Sequence, residues 1–281
     1  MTRFAVLGLG EAGSAIAADL AAAEGVEVRG YDPADVAAPD GVQRHDDPAK
    51  AVADAAVVLA VTTAAHAAAA LEEVVAALPP GAIYADLSTA SPALERQLAA
   101  TVAARSSGAG FADVALMAPV PGRGLRTPAL VSGPAAEAFA AVMAPLGMPV
   151  EVTSTQAGDA ATRKLLRSVV MKGLAQLLIE SLDAAEAAGL AAETWDHLVA
   201  QLTSVDEALV RRLVTGTRQH ALRRLHEMEA TIDLLDELGV DATMSRATAA
   251  RLREAADHDT SCPTPRTSVT TRASPPQKGP S

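Results

Sequence analysis

Two groups of residues in this sequence have types and spacing that could do chemistry. The first is Gly8-Leu9-Gly10-Glu11-Ala12-Gly13, a G-x-G-x-x-G run between a predicted strand and a predicted helix. Glycine at 8 allows a tight turn, glycine at 10 lets the backbone approach a pyrophosphate, and glycine at 13 permits close helix–strand packing. The helix N-terminus then favours the anion. Asp32 follows about 20 residues later, where a carboxylate can accept hydrogen bonds from ribose hydroxyls, although it could equally cap the turn at Pro33. Thr62 and Thr63 sit where loops meet such a ligand, and as strand-end caps they have an equally good structural account. The pattern implies a nicotinamide dinucleotide. NAD(H) is favoured because Asp32 would repel a 2′-phosphate, and NADP(H) is possible because Arg29 or Arg44 could offset that repulsion.

The second group is Lys164, Ser168 and Lys172, spaced four apart on a long predicted helix. They project from about one face, each step rotating by about 40°. When hydride reaches a carbonyl, charge builds on oxygen; a positioned ammonium stabilises it and donates the proton, and the reverse serves alcohol oxidation. A solvated helix surface shows lysines at the same spacing. Gly173, inside the same helix, costs about 1 kcal/mol relative to alanine and suggests close approach of cofactor or of another helix.

Elements must hold these groups in place. Strands are predicted at 3–9, 26–31, 56–61, 82–86 and 110–115, alternating with helices at 11–24, 49–53, 66–77 and 92–104. A further strand pair is predicted at 128–132 and 149–152 with a helix at 135–143 between them. This order implies a Rossmann-type, doubly wound parallel sheet in an α/β domain. After about Ser154 the pattern becomes all α, with helices at 158–188, 191–203, 205–238 and 242–258. A helix over 158–188 would be on the order of 45 Å long, more than a small domain needs, so a second copy is expected against it. The domains read as 1–154, dinucleotide-binding; 155–258, an all-helical substrate and dimerisation domain; and 259–281, a Ser-, Thr- and Pro-rich tail expected to be disordered.

Composition excludes several classes. The 281 residues carry a net charge of −11, which does not suit a nucleic-acid backbone. One cysteine, Cys262, permits no internal disulfide, which suits a cytoplasmic protein. The most apolar stretch, 51–78, contains Asp54, His66, Glu72 and Glu73 and so cannot span a membrane. No leader is expected at the N-terminus, where the apolar run ends at Glu11. The six histidines show no ligand spacing, and no metal is expected.

From Arg3 to about His258 the chain resembles the β-hydroxyacid dehydrogenase and 6-phosphogluconate dehydrogenase superfamily. Three blocks carry the resemblance: Gly8 to Gly13 with Asp32; Asp86-Leu87-Ser88-Thr89-Ala90-Ser91-Pro92, which looks like a D-x-S-T-x-x-P segment, with Gly110-Phe111-Ala112-Asp113 after it; and 158–168, which places Lys164 where the family's long helix carries its catalytic lysine. The resemblance implies that Lys164 is the acid/base and that Ser88 and Thr89 bind the substrate. Some positions depart from the pattern. Ser168 stands where asparagine is usual, Met171 and Lys172 where the sugar-acid branch has its glutamate and tyrosine, and 117–124 reads MAPVPGRG in place of Ser-Gly-Gly. These features, with Arg224 to Glu229, look most like a bacterial branch whose helical C-terminal domain has no settled function.

Arg123 and Arg126 could clamp a carboxylate or phosphate, or could be solvated loop residues. His226 falls near the relatives' active site, yet a lone histidine on an amphipathic helix is more often a packing residue. The sequence thus implies a homodimeric hydride-transferring enzyme. Lys164 is expected to be catalytic, and Ser88, Thr89, Arg123, Ser168, Lys172 and His226 to hold a small anionic hydroxyacid or carbonyl substrate. Gly8, Leu9, Gly10, Glu11, Ala12, Gly13, Asp32, Thr62 and Thr63 are expected at the cofactor. An imine reductase or a non-catalytic dinucleotide sensor are the alternatives.

Overall fold

The structure is a computed structural model that describes residues 1–257; Cys262 and the expected tail lie outside the described residues. Two compact units divide the chain, Met1–Met171 and the residues from 172 onward.

The first unit is built on one sheet of eight strands: β1 (Thr2–Leu7), β2 (Val26–Tyr31), β3 (Val42–Arg44), β4 (Val57–Ala60), β5 (Ile83–Asp86), β6 (Gly110–Leu116), β7 (Ala129–Ser132) and β8 (Val150–Ser154). Their order is β3-β2-β1-β4-β5-β6-β7-β8. Every pairing is parallel except β6 with β7, so the expected parallel sheet carries one antiparallel step. The connection at 117–128 turns the chain straight back beside β6. The three-residue β3 escapes periodicity because it is too short to alternate.

Central strands read as unbroken apolar runs because both faces are covered. Along β1, Phe4 and Val6 enter one core while Ala5 and Leu7 enter the other, as the period of two requires. Helices α1 (Glu11–Ala21) and α5 (Ala136–Met143) cover the first face with Ile16, Leu20, Phe139 and Met143. On the other face lie α2 (Pro48–Val52), α3 (Ala67–Val74) and α4 (Pro92–Arg105), which contribute Val52, Leu71, Val74, Leu98 and Val102. The start of α6 (Asp159–Ala187) belongs to this unit, and the boundary between units falls within that helix.

The second unit is helical: the rest of α6, α7 (Ala191–Thr203), α8 (Glu207–Gln219), α9 (Ala221–Glu237) and α10 (Thr243–Asp257). Ala221, Leu225, Ala249 and Leu252 join α9 to α10 in a small core. Glu180 accepts from the Met244 and Ser245 backbone N–H groups at 2.6 and 2.9 Å and so caps the start of α10. The single helix expected over 205–238 is broken at His220, whose backbone leaves the helical region (φ −125°, ψ 31°). No proline or glycine marks that position. The corner is tied by Arg224 donating to Thr217 Oγ1 at 2.8 Å. Neither α7 nor α8 buries a residue.

Candidate active site

The glycine turn leads from β1 into α1. Gly8 has φ +97°, and a Cβ there would lie 2.5 Å from the Val61 carbonyl oxygen; a Cβ on Gly13 would lie 1.8 Å from the Gly8 carbonyl oxygen. Packing therefore demands glycine at 8 and 13. Gly10 differs, because a Cβ there would meet nothing within 4 Å, and as the N-cap of α1 it offers no side chain to the first-turn N–H groups. An open glycine beside uncapped N–H groups fits a ligand phosphate.

An open cleft of about 330 Å³ runs beside this turn, lined by Gly8, Gly10, Tyr31, Asp32, Thr62, Thr63, His66 and Glu73 among others. Asp32 is held in place: Oδ2 accepts from the Leu9 N–H at 2.7 Å and Oδ1 from the Ala34 N–H at 2.9 Å. Leu9 is buried, while Glu11 is exposed and Ala12 half-buried at the start of α1. Arg44 donates to the carbonyls of Ala34 (3.0 Å) and Val36 and so braces the Asp32 loop. Arg29 instead pairs with Glu27 and Asp54. Of the two arginines considered for a 2′-phosphate, only Arg44 lies at this loop. Thr63 and His66 face one another, Oγ1 to Nδ1 at 2.8 Å; nothing in the sequence pattern singles out His66.

The second constellation lies at the carboxyl end of β5, where open α/β sheets bind ligands, and at the position of β6 paired with it. Asp86 and Asp113 are direct partners in the parallel register, as are Tyr84 and Phe111 two residues earlier on the same face. Asp113 Oδ2 accepts from Ser132 Oγ at 2.8 Å, from the Gly158 N–H at 2.9 Å and from the Ala161 N–H at 3.2 Å, and Ser132 Oγ accepts from the Ala160 N–H at 3.0 Å. This pair caps α6, the helix that carries Lys164. Burial raises the Asp113 pKa against those hydrogen bonds.

Asp86 is fully buried, and its Oδ1 accepts from the Ser88 N–H at 2.8 Å. Burial pushes its pKa up to about 6, opposed by the hydrogen bonding of Ser88 and the charge of Lys164 and reinforced by Asp113. Ser88 is buried and Thr89 exposed. Across this face lies Glu95, which α4 presents between the Ser91 cap and the apolar Leu98 and Val102. It is fully buried, and neither carboxyl oxygen has a hydrogen-bond partner. Burial foremost, then Asp86 and Asp113, push its pKa up to about 10, with Lys164 opposing. Tyr84, also buried with an unpartnered hydroxyl, is raised well above its ordinary range by burial and by the two carboxyls Asp86 and Glu95. No metal-binding group of His, Cys, Asp or Glu occurs among the described residues.

Lys164 is half-buried, and its charge reaches both Asp86 and Glu95. One turn on, the Ser168 hydroxyl donates to the Lys164 carbonyl at 3.0 Å, so its proton is already used. Arg167 ties α6 to the 117–124 loop by donating to the Met117 carbonyl. Arg123 and Arg126 line a separate hollow against α1, where Asp19 accepts from the Leu125 N–H at 2.8 Å. In the second unit Lys172 and His226 are exposed. At Gly173 a Cβ would meet nothing within 4 Å, so no packing within this chain requires that glycine.

Residues 3–146 match the family model described as the NAD binding domain of 6-phosphogluconate dehydrogenase, and residues 185–255 match a domain of unknown function, DUF1932. The chain is similar to a conserved hypothetical protein from Sinorhizobium meliloti 1021, at 31% identity over 90% of this chain and 88% of that one, TM-score 0.58. It shares its fold with a Streptomyces aurantiacus imine reductase (21% identity, 91% and 95% coverage, TM-score 0.76) and an Aspergillus terreus reductive aminase solved with NADPH and ethyl levulinate (18%, 92% and 95%, 0.77). An uncharacterized 28.5 kDa protein from Methanothermus fervidus is 32% identical over 87 residues, which span 31% of this chain and 35% of that protein.

Proposed function

Because this chain belongs to the family of the NAD binding domain of 6-phosphogluconate dehydrogenase, we propose that it is an NAD(P)-dependent oxidoreductase of small hydroxyacids or the related carbonyl compounds. Lys164 is its acid/base. The observation that carries this reading is the placement of a half-buried ammonium within electrostatic reach of buried Asp86, on a helix whose start is capped by Asp113 and Ser132.

Gly8, Gly10 and Gly13 hold the pyrophosphate against the start of α1, and Asp32 receives the ribose hydroxyls. The nicotinamide, when bound, supplies or accepts the hydride. Lys164 stabilises negative charge on the substrate oxygen and gives it a proton in reduction, or removes that proton in oxidation. Asp86 lies within electrostatic reach of that ammonium, and Ser88, Thr89 and Ser168 anchor the substrate. Arg123 serves as a further anionic anchor only if the 117–124 loop leaves its hollow beside α1. With both carboxylate oxygens of Asp32 oriented by backbone N–H groups, NAD(H) is the favoured cofactor, and Arg44 is the residue that would admit NADP(H).

An imine-reducing role is the second reading, favoured by the shared fold with imine reductases. The chain functions as a homodimer through its helical unit, where Trp195, Val199, Val210, Leu213 and Val214 are exposed and α7 and α8 bury nothing.

The test is oxidation of NADH and NADPH with small 2-oxo and 3-oxo acids beside cyclic imines. Reduction of oxo acids that is lost in Lys164→Ala, with dinucleotide affinity retained, supports the reading. Turnover of imines alone selects the second, and full turnover by Lys164→Ala removes the acid/base role.

A further inference from the structure

We propose that Glu73 is a specificity-determining residue of the dinucleotide cleft: its carboxylate accepts a hydrogen bond from the 6-amino group of the adenine base, so that adenine dinucleotides are selected over their 6-oxo counterparts. This rests on the cofactor reading given above and is independent of the role of Lys164.

The cleft beside the glycine turn suits the adenosine end of a dinucleotide. Its walls include Gly8, Gly10 and Asp32 but none of Ser88, Thr89 and Lys164. At about 330 Å³ it lies near the lower end of the range for small-molecule sites, roughly 300–1,000 Å³, which fits one half of such a molecule. On one side α3 and its N-cap line the cleft with His66, Ala69, Ala70 and Glu73, which recur at three, four and seven residues along one helix face. The two alanines add no bulk, and Tyr31, Pro33 and Pro48 give the same cleft flat or apolar surface, so a slot for a planar base is left between them. His66 is tethered at the start of this face by Thr63, at 2.8 Å. Glu73 stands seven residues further on, about 10 Å along the helix axis.

That end of the cleft offers hydrogen-bond acceptors. Glu73 is exposed and makes no hydrogen bond or ion pair among the described residues, whereas its neighbour Glu72 pairs with Arg105 and does not line the cleft. Burial foremost, then the charges of Glu73, Asp32 and Asp47, raise the Tyr31 phenol above its ordinary range, opposed by Arg44. Arg44 itself is engaged by the Ala34 and Val36 carbonyls. A phosphate or carboxylate beside Glu73 would be repelled, while a neutral base offering an N–H would be held. Adenine carries an amino donor at its 6-position; hypoxanthine and guanine carry a carbonyl oxygen there. A carboxylate accepts from the first and repels the second, because it has no proton to give. Solubility alone is served by Glu72 one position earlier, which leaves Glu73 free for a task inside the cleft.

The test compares NADH with deamino-NADH, in which hypoxanthine replaces adenine, by fluorescence titration of each against the full-length protein. NADPH and its deamino form take their place if NADPH alone binds. The wild-type protein is expected to bind the adenine form at least about tenfold more tightly. Glu73→Ala should bind the two forms within about threefold of one another, through weaker binding of NADH. Glu73→Gln, whose amide can accept or donate, should narrow the ratio by gaining affinity for deamino-NADH. Glu72→Gln removes the same charge one residue away and should keep the wild-type ratio. A merely structural role for Glu73 would weaken both dinucleotides together and leave the ratio unchanged. Equal binding of the two forms by the wild-type protein, or the wild-type ratio retained in Glu73→Ala, overturns the proposal, as does a ratio in Glu72→Gln as narrow as that in Glu73→Ala. Dinucleotide bound without discrimination removes only the role of Glu73, whereas no binding of NADH or NADPH removes the cofactor reading and this inference together.

Discussion

Replacing Glu95 with glutamine should stabilise the protein and flatten its pH dependence. The carboxyl has an ordinary pKa of 4.5 and is pushed up to about 10 in the folded chain. Its folded-state pKa lies above its unfolded one, so the folded protein holds a proton that the unfolded chain gives up. Stability therefore falls as pH rises through that interval, by about 1.4 kcal/mol for each pH unit. At pH 7 the burden is on the order of 3 kcal/mol relative to acid solution. A glutamine side chain there would bring unmet hydrogen bonding of similar cost but no ionisation in the unfolded chain. At roughly 2 °C per kcal/mol for a chain of this length, E95Q should melt about 6 °C higher at pH 7, with the difference shrinking toward pH 5. Thermal melts of both proteins from pH 5 to 9 provide the measurement. Equal melting temperatures at pH 8, or parallel slopes across the range, would refute the claim that Glu95 is buried as a neutral acid.

Other outcomes follow from the same geometry. Lys164→Ala should lower kcat by a factor of about 10² or more, the usual worth of a positioned acid/base, with dinucleotide affinity measured by fluorescence titration unchanged. Gly10→Val should leave the melting temperature near wild type and weaken dinucleotide binding at least about tenfold, while Gly13→Ala should lower the melting temperature outright, because its Cβ would lie 1.8 Å from the Gly8 carbonyl oxygen. Ser132→Ala removes the cap on the Ala160 N–H and should cost about 1–2 kcal/mol in denaturant unfolding and reduce kcat, with the dinucleotide constant spared. Leu213→Glu on exposed α8 should turn a dimer into a monomer in sedimentation equilibrium.

What could be read from the residues alone depended on how locally each feature is encoded. The glycine turn was legible because three glycines, a strand and a helix follow one another without interruption from Thr2 to Ala21, and packing explains two of those glycines while Gly10 stays open to a ligand. Strand β3 and the corner at His220 were not legible, since three residues hold no period and a helix can end on tertiary contacts without a glycine or proline. The antiparallel β7 was hidden for a related reason: alternation reports which face is buried and not which way the chain runs. Glu95 is the instructive omission. Its motif neighbours drew attention to Ser88 and Thr89, but the decisive signal was a carboxylate recurring with Leu98 and Val102 on the buried face of α4. An acid on an apolar stripe without a hydrogen-bond partner is favoured in its neutral form, because burial penalises the charge. Lys164 and Glu95 lie 69 positions apart, and only the register of β5 with β6 and the capping of α6 by Asp113 bring their charges together.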